Sequence, residues 1–241
     1  MLDNRPTSLN SNTVARRSNW WCHHLSTETI DSPAGPGIPF RTSNKSFTMR
    51  ARMNIGPIKP GKKDETIAFF KDTLGPAVSR VQANVGSLSM IDHKEGKGIA
   101  ISFWPSEADL TGNPPGSFID VSIVDQVLGP RVSSGYDVDV RGDMSKSGSA
   151  THARTNRRQI QPGKMDEAIS EYRDSVIPAV SSRKGFVGGL LLSDRDNNTT
   201  LAISLWGSEA DMLANQPLGP DALSVGSTVR TECEVTYVDL D

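Results

Sequence analysis

Apolar and polar positions along this chain change period in a fixed order, and the order occurs twice. A short strand is expected over about 49–58 and again over 151–160, each followed by a Pro-Gly turn at Pro60-Gly61 or Pro162-Gly163. Ile67, Phe70 and Leu74 then recur at helical spacing, as do Ile169, Tyr172 and Val176, so one helix face packs inward. Asp64 and Asp166 suit the positive end of those helices. Pro76 and Pro178 are expected to break or kink them near their ends. Two strands follow, about 85–92 and 98–104 or 187–194 and 200–206, joined by polar hairpin loops at 93–97 and 195–199. Ser106 and Ser208 are placed to cap a second helix, with Asp109 and Asp211 three residues on, a variant of the capping box. A last strand closes each copy, about 135–140 and 230–240, where Val235 and Tyr237 alternate with Thr236 and Val238.

The two halves match residue by residue. Ile58-Lys59-Pro60-Gly61-Lys62 corresponds to Ile160-Gln161-Pro162-Gly163-Lys164, an offset of 102 residues. The offset holds through Pro76-Ala77-Val78-Ser79 and Pro178-Ala179-Val180-Ser181, then Ala100-Ile101-Ser102 and Ala202-Ile203-Ser204. It still holds at Trp104 with Trp206 and Ser106-Glu107-Ala108-Asp109 with Ser208-Glu209-Ala210-Asp211. About 25 of the 56 positions from 58 to 113 are identical, far above chance for a self-comparison.

The element order is βαββαβ, a ferredoxin-like α+β unit, duplicated in tandem. Four antiparallel strands carry both helices on one face, which leaves the other face uncovered. The second copy is its natural cover, so the chain is expected to close on itself as an internal pseudo-dimer with the sheets face to face. The expected division is an unstructured extension over 1–47, repeat 1 over 48–142, a linker over 143–150 and repeat 2 over 151–241. The Gly- and Ser-containing run from Arg141 to Ser149 reads as flexible. The Arg141-Gly142-Asp143 tripeptide in it reads as incidental.

Composition narrows the classes of function. The 241 residues are 36% hydrophobic and 22% charged, with a formal net charge of −2, so no basic surface points to nucleic acid. The longest apolar runs, such as Gly188-Gly189-Leu190-Leu191-Leu192, are too short to span a membrane. Two cysteines, Cys22 and Cys233, make no disulfide framework, and the chain is expected in the reducing cytoplasm. Trp20-Trp21-Cys22-His23-His24 lacks the second Cys/His group that a four-ligand metal site requires, so no metal is expected. Residues 1–47 are rich in Ser, Thr, Asn and Pro without apolar period, and are expected to be disordered and dispensable. They hold no apolar core of a secretory signal; their arginines faintly suggest a transit peptide, and Met49 offers an alternative start.

Pro-Gly-Lys, then Tyr-Arg-Asp-Ser-Val-Ile-Pro-Ala over 172–179, Gly185-Phe186-Val187-Gly188, and Leu-Ala-Ile-Ser-Leu-Trp-Gly-Ser-Glu-Ala-Asp over 201–211 resemble the antibiotic biosynthesis monooxygenase domain. The Trp-x-Ser-Glu-Ala-Asp element is the most specific part and stands in both copies. The resemblance covers nearly all of 151–241 and, more weakly, 49–140. It implies the dimeric α+β barrel superfamily, formed here within one chain. It also implies a monooxygenase that uses no cofactor and acts on a small aromatic phenol or quinol with molecular oxygen. A non-catalytic or ligand-binding barrel, and an isomerase or lyase on the same scaffold, stay open, as do further homo-oligomers. Haem-degrading members need a Trp and a His on the second helix; neither follows Ser106 or Ser208, and His23, His24, His93 and His152 all lie elsewhere.

Within that resemblance Asn54 and Asn156 are the candidate catalytic residues, because an amide can donate to a developing phenolate oxygen. Arg52 and Arg154, two positions away, would face the same side and pair with the anion. The bland alternative is a polar strand rim that only satisfies backbone groups. Tyr172 adds a phenol where the first copy has Phe70, which would favour the second copy as the active one. Trp104 and Trp206, with Phe70, Phe103, Phe186 and Leu205, are core residues first and candidate walls of an aromatic-binding pocket second.

Overall fold

A computed structural model describes residues 49–215 and 222–240. The N-terminal extension, with its Cys22-His23-His24 run, lies outside the described residues. Repeat 1 contains β1 (Arg50–Pro57), α1 (Lys63–Phe69), α2 (Gly75–Ser79), β2 (Gly86–Asp92), β3 (Lys97–Trp104), α3 (Glu107–Gly112), α4 (Val121–Val127) and β4 (Val132–Arg141). Repeat 2 contains β5 (His152–Gln159), α5 (Met165–Glu171), α6 (Ile177–Ser181), β6 (Phe186–Asp194), β7 (Thr199–Trp206), α7 (Glu209–Ala214) and β8 (Val229–Asp239). Among the described residues no helix is long and apolar enough to cross a membrane.

The expected proline breaks are absorbed inside a continuous helix. A π turn, Phe70–Leu74, joins α1 to α2, and Tyr172–Val176 joins α5 to α6. Pro76 and Pro178 sit just beyond these turns, each in the opening turn of the helix that follows. Proline lacks an N–H and its ring crowds the carbonyl four residues back. Widening the preceding turn, so that the Gly75 N–H reaches Phe70 O and the Ile177 N–H reaches Tyr172 O, gives the ring room without ending the helix.

The eight strands form one closed barrel in the order β1-β3-β2-β8-β5-β7-β6-β4. Each repeat supplies a four-stranded ferredoxin-like sheet, and the copies meet at two antiparallel junctions. At one, β2 pairs β8 with Leu88 opposite Val238 and Ser89 opposite Tyr237. At the other, β4 pairs β6 with Val140 opposite Leu191. The sheets therefore do more than cover each other's faces. Their edges also pair, and a closed barrel leaves no edge for aggregation. The register shifts once at each junction, between Ser89 and Met90 and between Val138 and Val140. Such bulges bend a strand, which closure requires.

Side-chain alternation then sorts residues into two environments. Ala51, Leu88, Met90, Ile99, Ile101 and Phe103 point into the barrel, where they meet Ala153, Leu190, Leu192, Leu201, Ile203 and Leu205. The outer faces pack under helices in two separate clusters. One holds Phe69, Phe70, Ile91, Ile119, Val124, Val127 and Leu128; the other holds Ile160, Met165, Ala168, Ile169, Tyr172 and Leu191. Repeat 1 has the longer approach to its last strand. Tyr136 lies opposite Ala51 and Cys233 lies opposite Ala153, so the offset there is 97 rather than 102. α4 has no counterpart among the described residues of repeat 2.

The linker, expected to be flexible, packs against the barrel. Ser147–Ser149 form a turn of 3-10 helix, and Met144 and Ala150 belong to the barrel's interior cluster. Gly188 makes room for Met144: a Cβ there would stand 2.6 Å from its sulfur. Composition marks a segment that can bend, but one buried thioether is enough to hold it down. Met144→Ala should therefore lower the unfolding free energy in urea by about 2–3 kcal/mol, as for other buried Met truncations. A flexible linker would leave it unchanged.

Candidate functional site

Each repeat has a space between the outer face of its sheet and its helices, and the two spaces differ greatly. In repeat 1 it is a cavity of about 360 Å³. Its floor is made by β1, β2 and β3, which present Arg52, Asn54, Ser87, Ser89, Ala100 and Ser102. The register explains the set. Asn54, Ala100 and Ser89 lie in one cross-strand row, and Arg52, Ser102 and Ser87 in the next. The apolar walls come from Phe70, Leu74 and Val78 on the kinked helix and from Phe118, Ile119, Val121, Val124 and Leu128 around α4. Arg131 stands on the lining with one guanidinium nitrogen 2.7 Å from Asp125. Gly56 allows this, since a Cβ there would lie 2.8 Å from Arg131 Cγ.

In repeat 2 the corresponding space is only about 60 Å³. Arg158, Ile177 and Phe186 line it where repeat 1 has Gly56, Gly75 and Asn84. Of the three repeat 1 residues only Gly75 lines the larger cavity, and the side chains of Arg131 and Tyr237 pack against Gly56 and Gly75. Tyr172 and Phe186, expected to equip the second copy for substrate, line the smaller space. The roomier site is the first copy's.

The sequence-derived candidates divide accordingly. Arg52 and Asn54 share the repeat 1 cavity, and Arg154, Asn156, Tyr172, Phe186 and Trp206 share the smaller one. Asn54 is half-buried, and its amide makes no hydrogen bond to another described residue. Asn156 Oδ1 instead accepts from Arg230 Nε at 3.3 Å. The two asparagines are equivalent in sequence and differ in the bond to the amide oxygen and in the volume of the space they line.

The arginines are engaged in holding helices. Arg52 donates to Asn113 O at 2.7 Å and also to Leu110 O, at the end of α3. Arg154 donates to Asn215 O and Met212 O, both at 2.6 Å, at the end of α7. These are unsatisfied carbonyls at a negative helix end, where a cation is favoured. At the other ends Ser106 Oγ and Ser208 Oγ accept from the Asp109 and Asp211 amides at 3.2 and 3.1 Å, as expected of N-caps. Each short helix is therefore held at both ends, by a serine cap and by an arginine from the sheet. Burial pushes both guanidiniums below the usual arginine range, although they remain charged.

Three further candidates are placed elsewhere than the pocket reading had them. Phe103 and Leu205 each precede a tryptophan by one residue, so they point to the opposite face and sit in the barrel interior. Trp104 is fully buried, with Nε1 donating to Ser102 Oγ at 2.9 Å and its ring 5.9 Å from the Arg52 guanidinium carbon. It lies on the same outer face of β3 as Ser102, with its ring against the arginine. Tyr172 donates to Leu190 O at 3.1 Å, and burial drives its phenol far above the usual range. A phenol so held stays neutral near pH 7 and is ill suited to act as a base. Phe70 does line the repeat 1 cavity, and Trp206 lines the small one, edge-on to Phe186 at 5.6 Å.

Sequence reasoning missed Ser87, Ser89 and the α4 wall. Alternation of Ser87 and Ser89 with Leu88 and Met90 was the available signal for a polar outer face on β2. The α4 segment follows Pro114-Pro115-Gly116, and the recurrence of Val121, Val124, Val127 and Leu128 at helical spacing was its available signal. No three His, Cys, Asp or Glu side chains converge as a metal-ligand set among the described residues.

No family model matches the chain. An uncharacterized protein found in two strains of Mycobacterium tuberculosis is 22% identical over 177 residues, which span 73% of this chain and 79% of that protein. Among solved structures, a candidate monooxygenase of Fusobacterium nucleatum superposes with a TM-score of 0.62 at 14% identity, covering 80% of this chain and 95% of that one. A candidate monooxygenase of Lactobacillus acidophilus gives 0.64 at 10% identity, covering 79% and 95%. An anthrone oxidase-like protein gives 0.58 at 12% identity, covering 81% and 94%. At these identities the likeness is one of fold, and it agrees with the duplicated α+β barrel described above.

The arginine clamp can be tested by removing its charge. Arg52→Met leaves two helix-end carbonyls without their donor and should cost about 1.5–3 kcal/mol in urea unfolding, the usual worth of hydrogen bonds to a charged group. Arg52→Lys should recover less than half of that, because an ammonium cannot bridge both carbonyls as a planar fork does.

Proposed function

We propose that this chain is a cofactor-independent monooxygenase of the antibiotic biosynthesis type. On this reading it oxidises a small aromatic phenol or quinol in the repeat 1 cavity. The observation that carries the reading is the free amide of Asn54 on the floor of a largely apolar cavity of about 360 Å³. Such a pocket, apolar with a few convergent polar groups, suits a flat aromatic molecule. The fold likeness to candidate monooxygenases and to an anthrone oxidase-like protein supports the same class.

The chemistry needs little from the protein beyond holding an anion. The described lining carries no carboxylate or imidazole, so the substrate's acidic proton leaves to water. Asn54 donates to the oxygen on which negative charge develops, and apolar walls keep bulk water from competing. The electron-rich anion passes an electron to O₂, and the resulting pair recombines at carbon as a hydroperoxide. Loss of water then leaves a carbonyl. Where a methylene becomes a carbonyl, the substrate supplies all four electrons that O₂ accepts; one oxygen atom enters the product and the other leaves as water. No external reductant is required.

Repeats 48–142 and 151–241 divide the work on this reading. The first holds substrate, and the second closes the barrel. The wild type should consume oxygen with some member of a panel of hydroquinones and anthrone-like phenols, without added flavin or metal. Asn54→Ala should lower kcat by about 10²–10³, the usual loss when one oxyanion donor is removed. Asn156→Ala and Tyr172→Phe should leave turnover within twofold. If no panel member is oxidised, or if Asn156→Ala alone abolishes turnover, the assignment of reaction or of repeat is wrong.

A further inference from the structure

The repeat 1 cavity borrows a residue from repeat 2. Tyr237, on β8, lies opposite Ser89 and so extends the row Asn54–Ala100–Ser89 across the junction between the copies. Its ring lies flat against Gly75: a Cβ at that position would stand 2.3 Å from Tyr237 Cγ. Its hydroxyl is 3.0 Å from Ser79 Oγ, and Ser79 Oγ is 3.2 Å from Ser87 Oγ. Ser87 is 3% exposed and lines the cavity. Three hydroxyls therefore form a chain from the second repeat's strand to the cavity of the first.

Repeat 2 lacks every part of this device except one serine. The places of Gly75, Ser87, Ser89 and Tyr237 are taken there by Ile177, Gly189, Leu191 and Val140, the last lying opposite Leu191. The serine equivalent to Ser79 is Ser181, which donates to Ile177 O of its own helix at 2.7 Å. Four coordinated differences at one place are hard to ascribe to packing alone, because Val140 and Ile177 fill the same space without any polar atom.

The direction of the chain follows from acidity. A phenol is a stronger hydrogen-bond donor than an aliphatic hydroxyl. With Tyr237 donating to Ser79 and Ser79 to Ser87, the Ser87 proton is left for the cavity. Hydrogen bonds in series polarise one another, so the last donor is strengthened by the first.

We propose that Ser87, polarised through Ser79 by Tyr237 of the second repeat, is a second oxyanion donor in the repeat 1 cavity, selecting the phenolate form of an aromatic ligand. Tyr237 and Ser79 act as positioning residues. The inference rests on reading this cavity as the binding site.

The test uses 4-nitro-1-naphthol, whose phenol and phenolate differ in absorbance, with its methyl ether as the uncharged counterpart. Binding to the full-length wild type should lower the naphthol's apparent pKa. Tyr237→Phe keeps the ring on Gly75 and removes only the hydroxyl. That variant and Ser79→Ala should each weaken phenolate binding about tenfold, one unit in the bound pKa, while affinity for the methyl ether stays within twofold. Ser87→Ala should do at least as much. Equal bound pKa values in wild type and Tyr237→Phe would overturn the hydroxyl chain while leaving the cavity as the site. If Ala100→Phe, which fills the cavity, fails to weaken binding of either probe, or if neither probe binds the wild type, the cavity itself is misassigned and the proposal falls with it.

Discussion

A four-stranded ferredoxin-like sheet cannot stand alone in water when its inner face is Ala51, Leu88, Met90, Ile99, Ile101 and Phe103 and both its edges are open. That constraint organises the whole chain. The second copy removes the apolar face and both edges together, through the β2–β8 and β4–β6 junctions. Covalent linkage makes the closure intramolecular, so it does not depend on protein concentration. Because the interior is filled by interlocking side chains, the open volume lies outward, in the two spaces between sheet and helices.

The outer spaces are framed by a device that both copies keep. A serine cap at one end and a sheet arginine at the other hold α3 and α7 over the strands. Arg52 and Arg154 face the cavities, yet their donors go to backbone carbonyls. They fix the short helix that borders each space.

With closure and framing shared, the two pockets were free to diverge. Gly56 and Gly75 accept Arg131 and Tyr237 in repeat 1, whereas Arg158, Ile177 and Phe186 line the smaller space in repeat 2. None of these residues belongs to the barrel's interior cluster, so none disturbs closure. The same junction that closes the barrel also carries Tyr237 to the edge of the other copy's cavity. Asymmetry on the outside is thus compatible with near-symmetry within.

The sequence alone determined the duplication, the element order, the serine caps and the pairing of Arg52 with Asn54 on one strand face. Each of these rests on local period or self-similarity, which a linear pattern carries. It did not determine which side of the strand Phe103 and Leu205 face relative to the pocket, how the arginines spend their donors, or that Met144 anchors the linker. It also did not show which repeat holds the larger cavity, because aromatic and phenolic residues at Tyr172 and Phe186 read alike whether they line a pocket or fill it. Pocket volume depends on pairs of residues far apart in the chain, such as Gly56 with Arg131 and Gly75 with Tyr237. Only closure of the barrel brings those partners within contact distance, so only the tertiary structure could decide where the space lies.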